Sequence, residues 1–399
     1  MTLNGKHIFL GVTGGIAAYK CVELLRLFKK AGADVVVGMT QAATRFVGSA
    51  SFEFLSENPV LVDLWDGPGS EISHIEVASK SDLAVIAPAT ANCIGKLAHG
   101  IADDALTTTM LAMTCPVLIC PSMNTDMYQN MRVQKNLDLL EETGIHILDP
   151  DSGVLACKTT GAGRLPEPWF IFDRACTFFY KKDLKGKTVL VSAGPTVEPI
   201  DPVRFISNHS SGKMGYAIAG AAEKRGAKVI LVSGPVSLDP PVGVECVSVG
   251  SCEQMYDAMF EHLDQADIII KVAAVGDFKP VSVQGHKIKK TGDQDHMTLE
   301  LIQNKDILKA IGLKKRKDQY LVGFAAETRD LETYAVGKME KKQLDMIAAN
   351  LVGKSGSGFQ ADTNKVKLFT RDGQVTDLPL MPKEEVAHAI LDAVVKAVS

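Results

Sequence analysis

Three side chains in the first half of this 399-residue chain are of types that can do chemistry. His74 stands in EISHIEVA just ahead of an apolar run, Asn124 follows PSM at the end of another, and Cys157 lies in the glycine-rich stretch VLACKTTGAGRLPEP. An imidazole titrates near neutrality, and a thiol on a closing flap can deliver a proton, so His74 and Cys157 fit acid–base work. Each residue also has a plainer reading. His74 fits a packed structural histidine, Asn124 an N-cap for TDMYQNMRVQKNLDLLEE, and Cys157 an ordinary loop thiol.

A second cluster lies in SAGPTVEPIDPVRFISNHSSGKMG, residues 192–215, which reads as a loop running into a helix. A Walker loop requires glycine five positions before the Gly-Lys pair and a hydroxyl after it, because its N–H groups wrap phosphates and the hydroxyl ligates magnesium. Here those places hold Ser207 and Met214, so the pattern fails at two places and a P-loop is disfavoured. Downstream are a basic KIKK run with Lys287 and Lys289, and Lys338 and Lys342 four residues apart. Basic runs and such pairs also occur on plain solvated surfaces.

Glycines at a strand-to-helix turn let backbone N–H groups reach an anion at the positive end of the helix. GVTGGI places Gly11, Gly14 and Gly15 at such a turn, without dinucleotide spacing. The next strand ends in Thr40, where a nicotinamide-binding fold carries an acidic residue for the ribose. Nicotinamide is therefore disfavoured. Hydroxyl and amide groups recur at the strand ends as Thr13, Thr40, Thr90, Asn92, Ser122 and Asn124. Such a ring suits a mononucleotide phosphate and a flavin, although any single member also serves as a helix cap.

The elements that hold these residues are legible as buried parallel strands, which read as continuous apolar runs. HIFLGV, the run before Thr40, DLAVIAPAT, CPVLICPSM and HILDP, with helical patterns between them, predict a doubly wound parallel sheet. The pattern restarts at KGKTVLVSAG and continues through KVILVSG, ADIIIKVAAV, YLVGFAAE and MIAAN. KVKLFTRDGQVTDLPL predicts a small hairpin turning at Asp372-Gly373, and KEEVAHAILDAVVKAV a closing helix. The fold class is thus α/β, with two Rossmann-like doubly wound domains, the first flavodoxin-like. The charged YKKDLKGK marks the boundary and divides the chain into 1–183 and 184–399.

Composition bounds the rest. A hydrophobic share of 46% with 23% charged residues is that of a globular protein, and the net charge of −4 offers no general attraction to nucleic acid or anionic membrane. No apolar run approaches the roughly 18–20 residues of a bilayer span, and MTLNGKHIFLGV lacks a leader pattern, so a cytoplasmic protein is expected. The eight cysteines form no CxxC pair and are expected to be reduced; Cys115 and Cys120, flanking PVLI, read as core fillers.

GVTGGIAAYK, SHIEVA, APATAN, PSMNTDMY and LACKTTGAGRL resemble, in order and spacing, the flavin-containing cysteine decarboxylases. The second half, with AGPTVEPIDPVRFISNHSSGKMG, AAVGDF, KIKK and VGFAAET, resembles phosphopantothenoylcysteine synthetase. Together they are similar to the bifunctional enzymes of coenzyme A biosynthesis, over nearly all of residues 5–395. The resemblance implies that Gly14, Gly15, Ile16, Thr40, Thr90, Ala91 and Asn92 surround FMN. His74 would be the active-site acid or base, Asn124 would hold the substrate carboxylate, and Cys157 would donate a proton. In the second half, Asn208 would bind an acyl-cytidylate, Asp277 would touch the metal or nucleotide, and Lys287, with Lys289 as a second contact, would face the triphosphate of CTP. Lys305, Asp306, Ile307, Leu308, Phe324, Lys338 and Lys342 complete the implied CTP set. Magnesium or manganese, and a homo-oligomer, a dodecamer of decarboxylase trimers and ligase dimers, are implied as well.

The implied chemistry explains the residue types. Loss of carbon dioxide from a cysteinyl carboxylate would leave an unstabilised carbanion; oxidising the thiol to a thioaldehyde creates an electron sink, and the ene-thiol left behind needs a hydride and a proton. In the ligase, 4'-phosphopantothenate is activated by CTP before the cysteine amine displaces CMP. The sequence departs from the family pattern at Ser122, Lys158 and Gly276, where Ala, Gly and Ala are usual. Two rival readings are a flavin oxidoreductase with a C-terminal scaffold and a regulatory binding protein; the intact His74, Asn124 and Cys157 argue against the latter.

Overall fold

The structure is a computed structural model that describes residues 3–65, 74–154, 160–289, 297–327, 331–351 and 360–398. The chain divides into two compact units, Met1–Tyr180 and Lys181–Ser399.

In the first unit β1 (His7–Val12), β2 (Asp34–Met39), β3 (Leu83–Ala89), β4 (Val117–Pro121) and β5 (His146–Ile147) form one parallel sheet in the order β2-β1-β3-β4-β5. Every residue of β3 is buried, as expected of a strand covered by helices on both faces. The helix Lys20–Lys30 buries Cys21, Leu24, Leu25 and Phe28, the spacing of a single apolar stripe. At roughly 1.5–3 kcal/mol for each large apolar side chain, that stripe fastens the helix far more strongly than intrinsic propensity could. A hairpin of β6 (Asp151–Val154) and β7 (Thr160–Arg164) follows the sheet. In this flavodoxin-like order the connections part between β1 and β3, so a crevice opens at their carboxyl ends.

The second unit contains β8 (Thr188–Ala193), the short pair β9 (Val197–Pro199) and β10 (Phe205–Ser207), β11 (Lys228–Ser233), β12 (Glu245–Ser248), β13 (Ile268–Lys271), the pair β14 (Phe278–Pro280) and β15 (Leu301–Gln303), β16 (Tyr320–Glu327), β17 (Met346–Leu351), β18 (Thr363–Asn364), β19 (Val366–Thr370), β20 (Val375–Asp377) and β21 (Met381–Pro382). Its main sheet runs β12-β11-β8-β13-β16-β17-β19-β20. The six strands from β12 to β17 are parallel and follow the order of a Rossmann fold, with the parting between β8 and β13. The hairpin around Gly373 does not stand apart. Its first strand, β19, pairs antiparallel with β17 and carries β20 on its outer side, which covers an edge of β17 that would otherwise present unpaired N–H and C=O groups. The closing helix Lys383–Val398 buries Val386, Ile390, Leu391 and Val394. Among the described residues no helix is long and apolar enough to cross a membrane.

Candidate functional sites

At the carboxyl ends of β1 and β3 the first unit encloses a cavity of about 950 Å3. Thr13 braces the crevice: its hydroxyl donates to the Pro88 carbonyl at 2.6 Å and accepts from the Thr90 N–H at 3.1 Å. Thr13 is buried and so acts as a tie between two strand ends. Thr90 in turn caps the helix Ala91–Ala98 by accepting from Cys93 N–H, which leaves the first N–H groups of that helix for a ligand. Gly14, Thr40, His74, Thr90, Ala91 and Asn92 all line this cavity. Gly15 sits beside it, where an added Cβ would come within 3.8 Å of Thr90. Ile16 is 62% exposed and does not line it.

A helix N-terminus, hydroxyls from Thr40 and Thr90, and the Asn92 amide make a phosphate-accepting set at a switch point. Val62, Leu64, Ala102 and Met127 supply apolar wall for a planar ring. These residues fit a flavin mononucleotide. Lys96 also lines the cavity and pairs with Asp103 at 2.6 Å and Asp104 at 3.0 Å. Its charge is held in place by those hydrogen bonds, which raise its pKa. Sequence reasoning passed over this trio, whose signal is the acidic pair in GIADDA.

Asn124 serves as an N-cap. Its Oδ1 accepts from Asp126 N–H at 2.8 Å and Met127 N–H at 3.4 Å, and Met127 on the same turn reaches the cavity. The hairpin docks against this segment. Met123 N–H donates to the Gly163 carbonyl at 3.0 Å, and Gly163 is the extra residue of a β-bulge, with φ of +139°. An added Cβ would stand 2.2 Å from the Met123 carbonyl at Gly163 and 2.6 Å from Thr125 Oγ1 at Gly161, so only glycines permit this approach. Cys157 and Lys158 lie outside the described residues. Other thiols of this unit are poor nucleophiles: burial raises Cys21 and Cys120 well above the usual thiol range and pushes Cys93 up to about 12. Cys120 is a core residue, whereas Cys115 is half-buried.

The second unit has a cleft of two lobes at the parting of β8 and β13. The larger, about 480 Å3, is lined by residues 207–215, Val272–Val275, Asp277, Phe324 and Lys338. The smaller, about 150 Å3, takes in Asp277, Lys305, Asp306, Ile307, Leu308, Phe324, Lys338 and Lys342. Asp277, Phe324 and Lys338 line both. Asn208 is aimed by a bond from its Nδ2 to the Ala274 carbonyl at 2.9 Å. The loop enters the helix Lys213–Lys224 through Gly212, at φ +77° and with no side-chain cap, so the opening N–H groups of this helix line the larger lobe. Lys213 is held to Asp362 at 2.6 Å.

Lys338 donates to the Phe324 carbonyl at 2.8 Å, and Lys342 pairs with Asp306 at 3.0 Å. The capped Lys309 N–H and Lys342 more than offset the burial of Asp306, so its carboxyl stays below the usual range. Lys287 and Lys289 are exposed and line neither lobe. They flank Ile288, whose backbone is fixed by Asp201 at 3.1 Å and Arg204 at 2.9 Å. No group of three metal-ligating side chains occurs among the described residues. Asp277 fits a magnesium ion held chiefly through phosphate and water oxygens. Lys271 and Lys383, both buried on the cleft, went unread in the sequence.

Two family models match the chain: "Flavoprotein" over residues 1–179 and "DNA/pantothenate metabolism flavoprotein C-terminal domain" over residues 184–398. The chain is 49% identical to the coenzyme A biosynthesis bifunctional protein CoaBC of Bacillus subtilis (strain 168), over 98% of this chain and 97% of that one. It is 47% identical to the protein of the same name from Vibrio parahaemolyticus serotype O3:K6, over 98% of each chain. A solved C-terminal domain of a CoaBC protein is 45% identical and covers 55% of this chain and 98% of its own, with a TM-score of 0.47. This chain belongs to the family of coenzyme A biosynthesis bifunctional proteins CoaBC.

Proposed function

We propose that the chain is a bifunctional enzyme of coenzyme A biosynthesis. Residues 184–399 ligate cysteine to 4'-phosphopantothenate at the expense of CTP, and residues 1–183 decarboxylate the phosphopantothenoylcysteine so formed to 4'-phosphopantetheine. The observation that carries this reading is the pair of separate switch-point clefts, each with its own helix N-terminus and anion-binding set, in a chain alike over its length to bifunctional relatives.

In the decarboxylase, the N-terminus of helix Ala91–Ala98 with Thr40, Thr90 and Asn92 holds the phosphate of FMN, Gly14 in the wall lets the backbone come close, and Gly15 and Ile16 follow it as outer contacts. The bound flavin supplies the acceptor that oxidises the substrate thiol and the hydride that reduces the ene-thiol. His74 moves the thiol proton, Asn124 holds the carboxylate, and Cys157, which lies between β6 and β7 in sequence, delivers the closing proton.

In the ligase, Asn208 orients the activated carboxylate. Lys305, Lys338 and Lys342 with Asp306, Ile307, Leu308 and Phe324 receive CTP in the smaller lobe. Asp277 stands where the lobes meet, suited to a magnesium or manganese ion that neutralises the triphosphate. Lys287 and Lys289 serve as outer phosphate contacts. The working form is a cytoplasmic homo-oligomer, a dodecamer built from decarboxylase trimers and ligase dimers.

The test is mass spectrometry of the full chain with 4'-phosphopantothenate, cysteine, magnesium and either CTP or ATP. CMP, pyrophosphate and 4'-phosphopantetheine with CTP are expected. If neither nucleotide supports coupling, while added phosphopantothenoylcysteine is still decarboxylated, the ligase assignment fails.

A further inference from the structure

The floor of the smaller ligase lobe holds a lysine that no step above uses. Lys271 ends β13 in the run IIIK and is only 7% exposed. Alternation along the strand puts it on the face of Ile269, which packs in a core with Met255, Met259 and Ile311. An aliphatic residue would complete that core at lower cost, because a buried ammonium loses its hydration. Its Nζ donates to the Ala273 carbonyl at 3.0 Å and lines the lobe with Lys338 and Lys342.

The groups that act on it electrostatically are Lys338 from the helix Leu331–Lys341 and Lys342 just after it, Cys252 from the helix Cys252–Leu263, and Asp306 ahead of the helix Ile307–Lys314. Asp306 is the one carboxylate among them, and it is already paired with Lys342 and capping Lys309 N–H. Lys271, Lys338 and Lys342 therefore line a small polar space together with Lys305, against two carboxylates, Asp277 and the already committed Asp306.

The geometry points to Lys271 as a further binding residue of the ligase, one that closes a three-lysine cluster around the phosphate groups of the nucleotide. This inference rests on the ligase reading of the cleft and adds a proton to it. With the cleft open, burial above all, and then Lys338, lowers the Lys271 amine to about 7. Phosphate charge entering the lobe restores the ammonium, so nucleotide binding takes up a proton. An amine that must be protonated to bind weakens binding about fivefold from pH 7 to pH 8 and about tenfold per unit beyond. The nucleotide's own phosphate ionises in the same range, so the comparison that matters is with Lys271→Met, which keeps length and removes charge.

The experiment is calorimetric titration of the full chain with MgCTP near pH 7 and pH 8, each in two buffers of different ionisation enthalpy, for wild type, Lys271→Met and Lys271→Arg. The expected result is an excess uptake, in wild type over Lys271→Met, of about half a proton near pH 7 and approaching one near pH 8. Lys271→Met should bind MgCTP at least tenfold more weakly at pH 7 and yet melt no lower than wild type, and Lys271→Arg should recover part of the affinity. Equal affinity and equal proton uptake in wild type and Lys271→Met would overturn the inference and leave the ligase reading intact. Absence of MgCTP binding to wild type would instead overturn both. Should Lys271→Met not fold, the wild-type data alone decide: uptake no greater than the protonation of CTP itself refutes the proposal.

Discussion

Gly163→Ala isolates what the β6–β7 hairpin does for decarboxylation. The added methyl would stand 2.2 Å from the Met123 carbonyl oxygen, a backbone atom that cannot rotate away, so the hairpin must retreat by close to an ångström. The retreat breaks the 3.0 Å bond from Met123 N–H to the Gly163 carbonyl, and φ of +139° is itself unfavourable for alanine. Backbone strain of about 1–3 kcal/mol and a lost hydrogen bond of about 1 kcal/mol together disfavour the docked hairpin by about 2–4 kcal/mol. At about 1.4 kcal/mol per factor of ten, the docked population falls by about thirtyfold to several hundredfold. Decarboxylation of added phosphopantothenoylcysteine should slow at least about tenfold, chiefly in kcat, because β7, which begins three residues after Cys157, no longer docks on the Asn124 segment. CTP-dependent ligation by the same preparation is an internal control and should hold within about twofold, since its cleft belongs to the other unit. Unchanged decarboxylation would refute the docking argument. A parallel loss of both activities would show general misfolding instead.

Cys157→Ser should release carbon dioxide at a near-normal rate and accumulate the ene-thiol, seen by mass as a species two hydrogens short of 4'-phosphopantetheine. Chelating divalent metal should abolish ligation and spare decarboxylation of added phosphopantothenoylcysteine, read in one reaction by product analysis. Arg225, 6% exposed at its side chain, bridges Asp183 at 2.6 Å and Asp392 at 2.7 Å and donates to the His388 carbonyl, fastening the closing helix to the start of the ligase unit. Arg225→Met should lower stability to denaturant by about 1–3 kcal/mol, discounted because both carboxylates keep contact with solvent. Hydrogen bonding to Arg225 lowers the Asp183 pKa. Its contribution is therefore fully present above the free carboxyl's value of 3.8 and fades as pH falls through the lower folded value, a slope that Arg225→Met should flatten.

Much of the fold could be read because buried parallel strands announce themselves as apolar runs: every residue of LAVIAPA in β3 is buried, IIIK lies in the centre of the second sheet, and KVILVS is buried in all but its first residue. The strand ECVS (β12) escaped notice because it is a half-buried edge with no run to betray it. Pairing of Phe278–Pro280 with Leu301–Gln303 joins segments some twenty residues apart, and no local pattern encodes it. At the sites, hydroxyls and amides at strand ends were legible because strand ends in such sheets converge; Thr13, Thr40, Thr90 and Asn92 line one cavity, whereas Ser122 and Asn124 do not line it. Lys271 was not legible, since a lysine inside an apolar run looks like a strand terminus, and only the helices packed over it make it a buried amine. The KIKK run showed the opposite limit: its charge is plain in sequence, yet Lys287 and Lys289 stand exposed and line neither lobe of the cleft.

The central claim is that one chain makes and then decarboxylates the same intermediate. Cysteine labelled at its carboxyl carbon, supplied to the full chain with 4'-phosphopantothenate and magnesium, reads it out as labelled carbon dioxide. Release that begins only when CTP is added, with one CMP formed for each carbon dioxide, is the predicted result. Label released without CTP, or CMP formed with no carbon dioxide to match it, would contradict the account.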